Sequence, residues 1–266
     1  MRKNSQTLTT QSIPTLIKQL AIPASTGMFF NTMYNVVDTF YAGLISTQAI
    51  SALTLSFMIF FLIIGFGYGF SSAITALLGN AFGKKKYKLA TIYAHKGLIF
   101  VPLIGVILSL IGYFFAPSLF ILLGAKEDYL NLSLEYINPI LFGSVFFMFN
   151  FSLNSILVAT GDTKTYRNSL IFGFFANLVL NPLLMYGFLF IPAMGLSGIA
   201  IATVLIQIIN MGYLLYKVLQ TKLIHFEKLD YFSPNFKVYK QFLNQGIPSS
   251  LNMLTMGIGS LILTYF

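Results

Sequence analysis

Residues 50–78 read ISALTLSFMIFFLIIGFGYGFSSAITALL and hold no charged side chain. A chain needs about 20 mainly apolar residues to cross the hydrocarbon layer of a bilayer. Lipid offers the backbone no hydrogen-bond partner, so a crossing segment is a helix or a strand of a closed barrel. This run is too long and too continuously apolar for a barrel strand, which leaves a transmembrane helix. Gly65, Gly67 and Gly69 in its middle follow no strand, which excludes a phosphate-binding loop. Small residues at that spacing instead allow helices to approach closely.

Working outward, six more runs meet the same criterion, at about 17–41, 97–116, 132–159, 168–190, 196–216 and 241–266. Composition agrees. The 266 residues are 56% hydrophobic and 9% charged, against about 25% charged in a soluble domain. Cysteine is absent, which excludes disulfides and any thiolate site. Residues 1–11 are polar and short, with no small-residue cleavage site after a short apolar core, so no cleavable signal peptide is expected.

The net charge of +9 is distributed unevenly. Arg2, Lys3 and Lys18 precede the first span, and Lys84, Lys85, Lys86, Lys88 and Lys96 lie between the second and third. Lys164 and Arg167 follow the fourth, and Lys217, Lys222, Lys228, Lys237 and Lys240 follow the sixth. Only Lys126 lies in a connection of the other side. The positive-inside rule therefore puts the N-terminus and the 220–240 connection in the cytoplasm of a multi-pass protein of the cell inner membrane. Basic residues spread over separate loops make no nucleic-acid surface. His95 and His225 are read as residues of the cytoplasmic connections, too far apart for a metal site. The chain shows no nucleophile elbow, no acid/base pair at usable spacing and no nucleotide loop, so it is not expected to be an enzyme.

AIPASTGM at 21–28 lies over GIPSSLNM at 246–253 with no gap, and DTFY at 38–41 lies over LTYF at 263–266. Repeated helical bundles are characteristic of transporters. The reading is all-α: a six-helix lobe over 1–219, a cytoplasmic connection over 220–240, and the first helix of a second lobe over 241–266. The chain is then a fragment of a twelve-helix, two-lobe transporter, and the missing C-terminal lobe is its expected partner.

Asp38 sits in the first span, and its nearest charged neighbours in sequence are Lys18 and Lys84. A carboxylate in the hydrocarbon costs at least about 2.5 kcal/mol on insertion scales, so it faces the bundle interior or a water-filled cavity. Burial favours the neutral form of a carboxyl group and a bound cation favours the charged form, which suits exchange of a proton for a cation. Asn177 and Asn181 are spaced i, i+4 on one face of the fifth span. Their amides suit a cation, a buried carboxyl, or each other. Pro23 either permits a kink in the first span or marks its start. Asp162 or Thr163, in GDTKT, is expected to cap the fifth helix.

IPASTGMFFNTMYNVVDTFYAGLISTQAISALTLSF (22–57), GFGYGFSSAITALLGNAFGKKKYKLA (65–90), ATGDTKTYRNSLIFGFFANLVLNPLLMYG (159–187) and MGLSGIAIATVLIQ (194–207) resemble the multidrug and toxic compound extrusion (MATE) family, in order and spacing. The resemblance covers about residues 12–266. It implies a secondary antiporter with no cofactor, which exports small cationic or amphipathic drugs in exchange for H⁺ or Na⁺ by alternating access. It implies that Asp38 carries the coupling ion, that Asn177, Asn181, Thr203 and Tyr34 shape its site, and that bending near Pro23 accompanies protonation. Many members carry Asp where this chain has Asn181, so the site has one fewer negative charge and is expected to hold Na⁺ less well. Two alternatives remain: a flippase for lipid-linked saccharides, against which the absence of basic residues from the spans argues, and an inactive truncated remnant. Phe29, Phe30, Phe57, Phe146, Phe147 and Phe149 are candidates to line a substrate cavity, through apolar and cation–π contacts.

Overall fold

The computed structural model of the protein describes residues 11–224, 231 and 233–265. Arg2, Lys3, His225 and Lys228 lie outside the described residues. The chain runs as α1 (Ile13–Leu16), a π turn (Ile17–Ala21), α2 (Ile22–Ile45), α3 (Thr47–Gly83), α4 (Tyr87–Leu122), α5 (Glu127–Ala159), α6 (Lys164–Tyr186), α7 (Gly195–Gln220) and α8 (Phe236–Tyr265). This is an all-α, multi-pass membrane architecture of six bundled helices and a seventh. Among the described residues, five of them, α3 to α7, are long and apolar enough to cross a membrane. In α2, Thr26, Thr32 and Thr39 donate to carbonyls of their own helix, those of Ile22, Met28 and Asn35.

Glycine and serine bring several helices into close contact. A Cβ on Gly67 would meet the Phe151 ring of α5, and one on Gly65 or Gly69 would meet Leu254 or the Ser250 backbone of α8. The three glycines thus seat α3 between two neighbours, as close approach of small residues predicts. Serine hydroxyls then bond backbone carbonyls of the adjacent helix. Ser56 donates to Ser133 O at 3.1 Å, Ser71 to Phe151 O at 3.0 Å, and Ser144 to Gly105 O at 2.9 Å.

Two sequence readings need correction here. The fifth span, read as 168–190, is α6 over Lys164–Tyr186. Gly187 has φ +78° and ends the helix, and apolar residues 188–191 form a tight turn closed by reciprocal Phe188–Ile191 backbone bonds. His95 and Lys96 do not lie in a connection. They sit inside α4, both buried. His95 Nδ1 pairs with Thr91 O at 2.8 Å, and its ring stacks on Tyr231 at 5.0 Å. Lys96 Nζ donates to the carbonyls of Tyr231 and Ser233. At 36 residues and about 1.5 Å per residue, α4 outruns the hydrocarbon layer, so its basic end remains helical outside the apolar stretch.

Candidate functional site

The helices that build the site are α2, α6 and α7. The first two run parallel and in register, held at successive levels along their length. Thr163 Oγ1 donates to Gln19 O at 3.2 Å at one end. Gly27 then lies against the Arg167 backbone and Leu170. Further along, Asp38 meets Asn177 and Asn181, and Tyr41 Oη donates to Leu178 O at 3.1 Å. Helix α7 joins this pair through the 188–191 turn. Met194 N donates to Leu184 O at 3.0 Å, and Gly198 lies so close to Leu184 that a Cβ would meet its carbonyl. That contact brings Thr203, little more than one turn later, level with Asn181.

Asp38 is only 4% exposed. Asn177 Nδ2 and Asn181 Nδ2 both donate to its Oδ1 at 2.8 Å, and Thr203 Oγ1 donates to its Oδ2 at 3.4 Å. The two amides also pair with each other, Asn181 Nδ2 donating to Asn177 Oδ1 at 3.1 Å. The i, i+4 spacing therefore serves two of the uses open at the sequence level, a carboxyl site and an amide–amide contact. Donors alone ring the carboxylate, an arrangement that compensates a buried negative charge. Both oxygens of the amide pair lie beside it, so rotation of either amide would turn an acceptor towards the carboxyl group. Tyr34, one turn before Asp38, lines the same space, and its hydroxyl is buried without a hydrogen-bond partner among the described residues.

The site opens on a cavity of about 540 Å³ between α2, α3, α5, α6 and α7. Its polar lining includes Tyr136, Asn150, Asn154, Gln207 and Asn210, none of which the sequence singled out. Asn150 Nδ2 donates to Gln207 O at 3.0 Å and to Gln207 Oε1 at 2.7 Å. Asn150 Oδ1 and Asn154 Oδ1 are buried and unpaired among the described residues. One signal could have found this pair, because Asn150 and Asn154 repeat the i, i+4 amide spacing of Asn177 and Asn181. Of the phenylalanines expected at a cavity, only Phe147 lines it, with Phe60 and Phe151. Phe29 and Phe57 are exposed, and Phe30 packs edge-on against Phe174 at 5.5 Å. Phe146 and Phe149 do not line the cavity.

Pro23 lies within a continuous helical run, directly after the π turn. It is buried and is not a first-turn residue of the run as a whole. At the α6 start it is Asp162, not Thr163, that caps. Its carboxylate accepts from Thr165 N at 3.0 Å and from Thr165 Oγ1 at 2.5 Å.

Helices packed through small residues around a buried carboxylate and a polar cavity define a multi-pass membrane protein of the transporter class. The chain belongs to the MatE family, whose model matches residues 23–183. It is 28% identical to the probable multidrug resistance protein YoeA of Bacillus subtilis, over 84% of this chain and 49% of that one. It is 27% identical to the FAD transporter of Shewanella oneidensis, over 80% of this chain and 48% of that one. An outward-facing multidrug resistance MATE family transporter of the MOP superfamily superposes with a TM-score of 0.83 at 28% identity, over 93% of this chain and 54% of that one. The chain spans about half the length of the curated relatives it matches. Family members are membrane transporters, not enzymes.

Proposed function

We propose that the chain forms the N-terminal lobe, with one further helix, of a cation-coupled antiporter that exports amphipathic cations across the inner membrane by alternating access. One observation carries the reading: a buried carboxylate, Asp38, the single one among the described residues, ringed by three donors and opening on a cavity large enough for a small organic molecule. A cationic substrate in that cavity pairs with the charged carboxylate. Protonation of Asp38 removes the charge, so proton and substrate exclude one another, which is the condition for exchange. The proton form needs an acceptor for its new O–H, and rotation of the Asn177 or Asn181 amide supplies one.

The amide at 181 favours H⁺ over Na⁺ as the coupling ion. Na⁺ needs several oxygen ligands and gains from a second negative charge, whereas both amides here turn nitrogen to Asp38. The lining of the cavity contains no Lys or Arg among the described residues, which does not suit the anionic headgroup of a lipid-linked saccharide. The basic connections support a cytoplasmic N-terminus. The lobe division at 219 and 240 rests on the internal repeat.

Binding of a fluorescent cationic dye to purified protein, titrated against pH, tests the site. The expected result is affinity that weakens as pH falls for wild type, and weak, pH-independent binding for Asp38→Asn. Equal affinity and equal pH dependence in the two proteins would remove Asp38 from the substrate site.

A further inference from the structure

In an α-helix the N–H of residue 23 would donate to the carbonyl of residue 19. Pro23 has no N–H, so Gln19 O loses that donor. The same segment carries the π turn Ile17–Ala21, in which Ile22 N bonds back to Ile17 O. Two interruptions of the hydrogen-bond ladder thus fall within a few residues, and such interruptions are where helices bend. Thr163 Oγ1 reaches across from the start of α6 and donates to the Gln19 carbonyl at 3.2 Å. Its hydroxyl is available because Asp162 has taken over the capping of α6.

We infer that Thr163 is a positioning residue, whose hydroxyl replaces the backbone donor that Pro23 lacks and so holds the start of the first helix in line with α2. Two features make the device specific. The acceptor is the carbonyl four residues before the proline, the one an α-helical N–H at position 23 would reach. The hydroxyl comes from the residue preceding α6, the helix that carries Asn177 and Asn181, so the latch and the Asp38 contacts join the same two helices at opposite ends. When the latch opens, residues 13–22 are free to pivot at the proline while residues 24–45 keep their register with α6. The inference stands on helix geometry and does not require the transport reading.

The chain has no cysteine, so a nitroxide pair can be introduced without other changes. Ile13 and Tyr216 are 73% and 59% exposed, which makes Ile13→Cys and Tyr216→Cys suitable labelling sites for distance measurement by pulsed electron spin resonance in lipid nanodiscs. Wild type and Thr163→Ser, which keeps the hydroxyl, are expected to give one main distance. Thr163→Val, and Thr163→Ala where valine packs poorly, are expected to raise a second distance about fivefold in population relative to the first, the equivalent of one net hydrogen bond. Pro23→Ala restores a backbone donor for Gln19 O, so Thr163→Val is expected to change nothing in a Pro23→Ala background. An unchanged distribution in Thr163→Val and Thr163→Ala overturns the inference. So does an equal change with and without Pro23.

Discussion

The Nδ2 of Asn181 lies 2.8 Å from Oδ1 of Asp38. The residue that would carry a second negative charge as aspartate is here a hydrogen-bond donor to the first. On the proposed function, one substitution would convert a proton site into a metal-ion site. Asn181→Asp puts two carboxylates side by side, and like charges at that distance disfavour joint ionisation unless a cation lies between them. We expect the variant to gain Na⁺ binding, measured as a NaCl-dependent rise in melting temperature that KCl does not reproduce and wild type does not show.

Removing the donors tests the same geometry from the other side. Asn177→Ala and Asn181→Ala each delete a hydrogen bond to a buried carboxylate, a contribution of about 2 kcal/mol for a charged partner. Thr203→Val should cost less, because its contact is 3.4 Å. Thermal unfolding in detergent is expected to rank the variants in that order. The losses should shrink as pH falls, since a protonated carboxyl has less need of donors.

The packing of α8 on α3 gives an independent prediction. A methyl group on Gly69 would run into the Ser250 backbone, whereas one on Gly79 meets nothing within 4 Å. Gly69→Ala should destabilise by about 1–3 kcal/mol, the range for overpacking. Gly79→Ala should be neutral or slightly stabilising through helix propensity. Melting temperatures of the two variants in one detergent decide the point.

Lys96 ties the connection before α8 to α4 through the carbonyls of Tyr231 and Ser233. Lys96→Met keeps the length of the side chain and loses the donors. Trypsin is expected to cut the variant faster than wild type at Lys222 or Lys237, with cleavage elsewhere unchanged. Equal rates would mean that other contacts, such as Tyr93 Oη donating to Gln241 Oε1 at 2.8 Å, suffice to hold the segment.

Much of this was readable from residues alone, for physical reasons that also explain what was missed. Asp38 stands out because a charge in an apolar run is costly and therefore rare. Asn177 and Asn181 stand out because they share a face with each other. Asn150, Asn154, Gln207 and Asn210 did not, because single amides in membrane helices serve helix packing as readily as they line a cavity, and only the tertiary arrangement separates the two. Lys96 and His95 were assigned to a connection because hydropathy marks where a helix leaves the hydrocarbon, not where it ends. Residues 187–190 were read as helix because they are apolar, while the glycine that stops α6 signals backbone conformation and not polarity. Asp162 and Thr163 were both legible as caps for α6, and only the tertiary arrangement shows Asp162 in that role while Thr163 reaches Gln19.

On the proposed function, Asp38 couples ion movement to export. The direct measurement is uptake of a fluorescent cationic dye into inverted membrane vesicles carrying the protein, under imposed H⁺ or Na⁺ gradients, for wild type and Asp38→Asn. Coupling at Asp38 predicts uptake driven by the H⁺ gradient in wild type and lost in the variant, with little response to Na⁺. Normal gradient-driven uptake by Asp38→Asn would contradict it, and would make the carboxylate a structural link between α2 and α6.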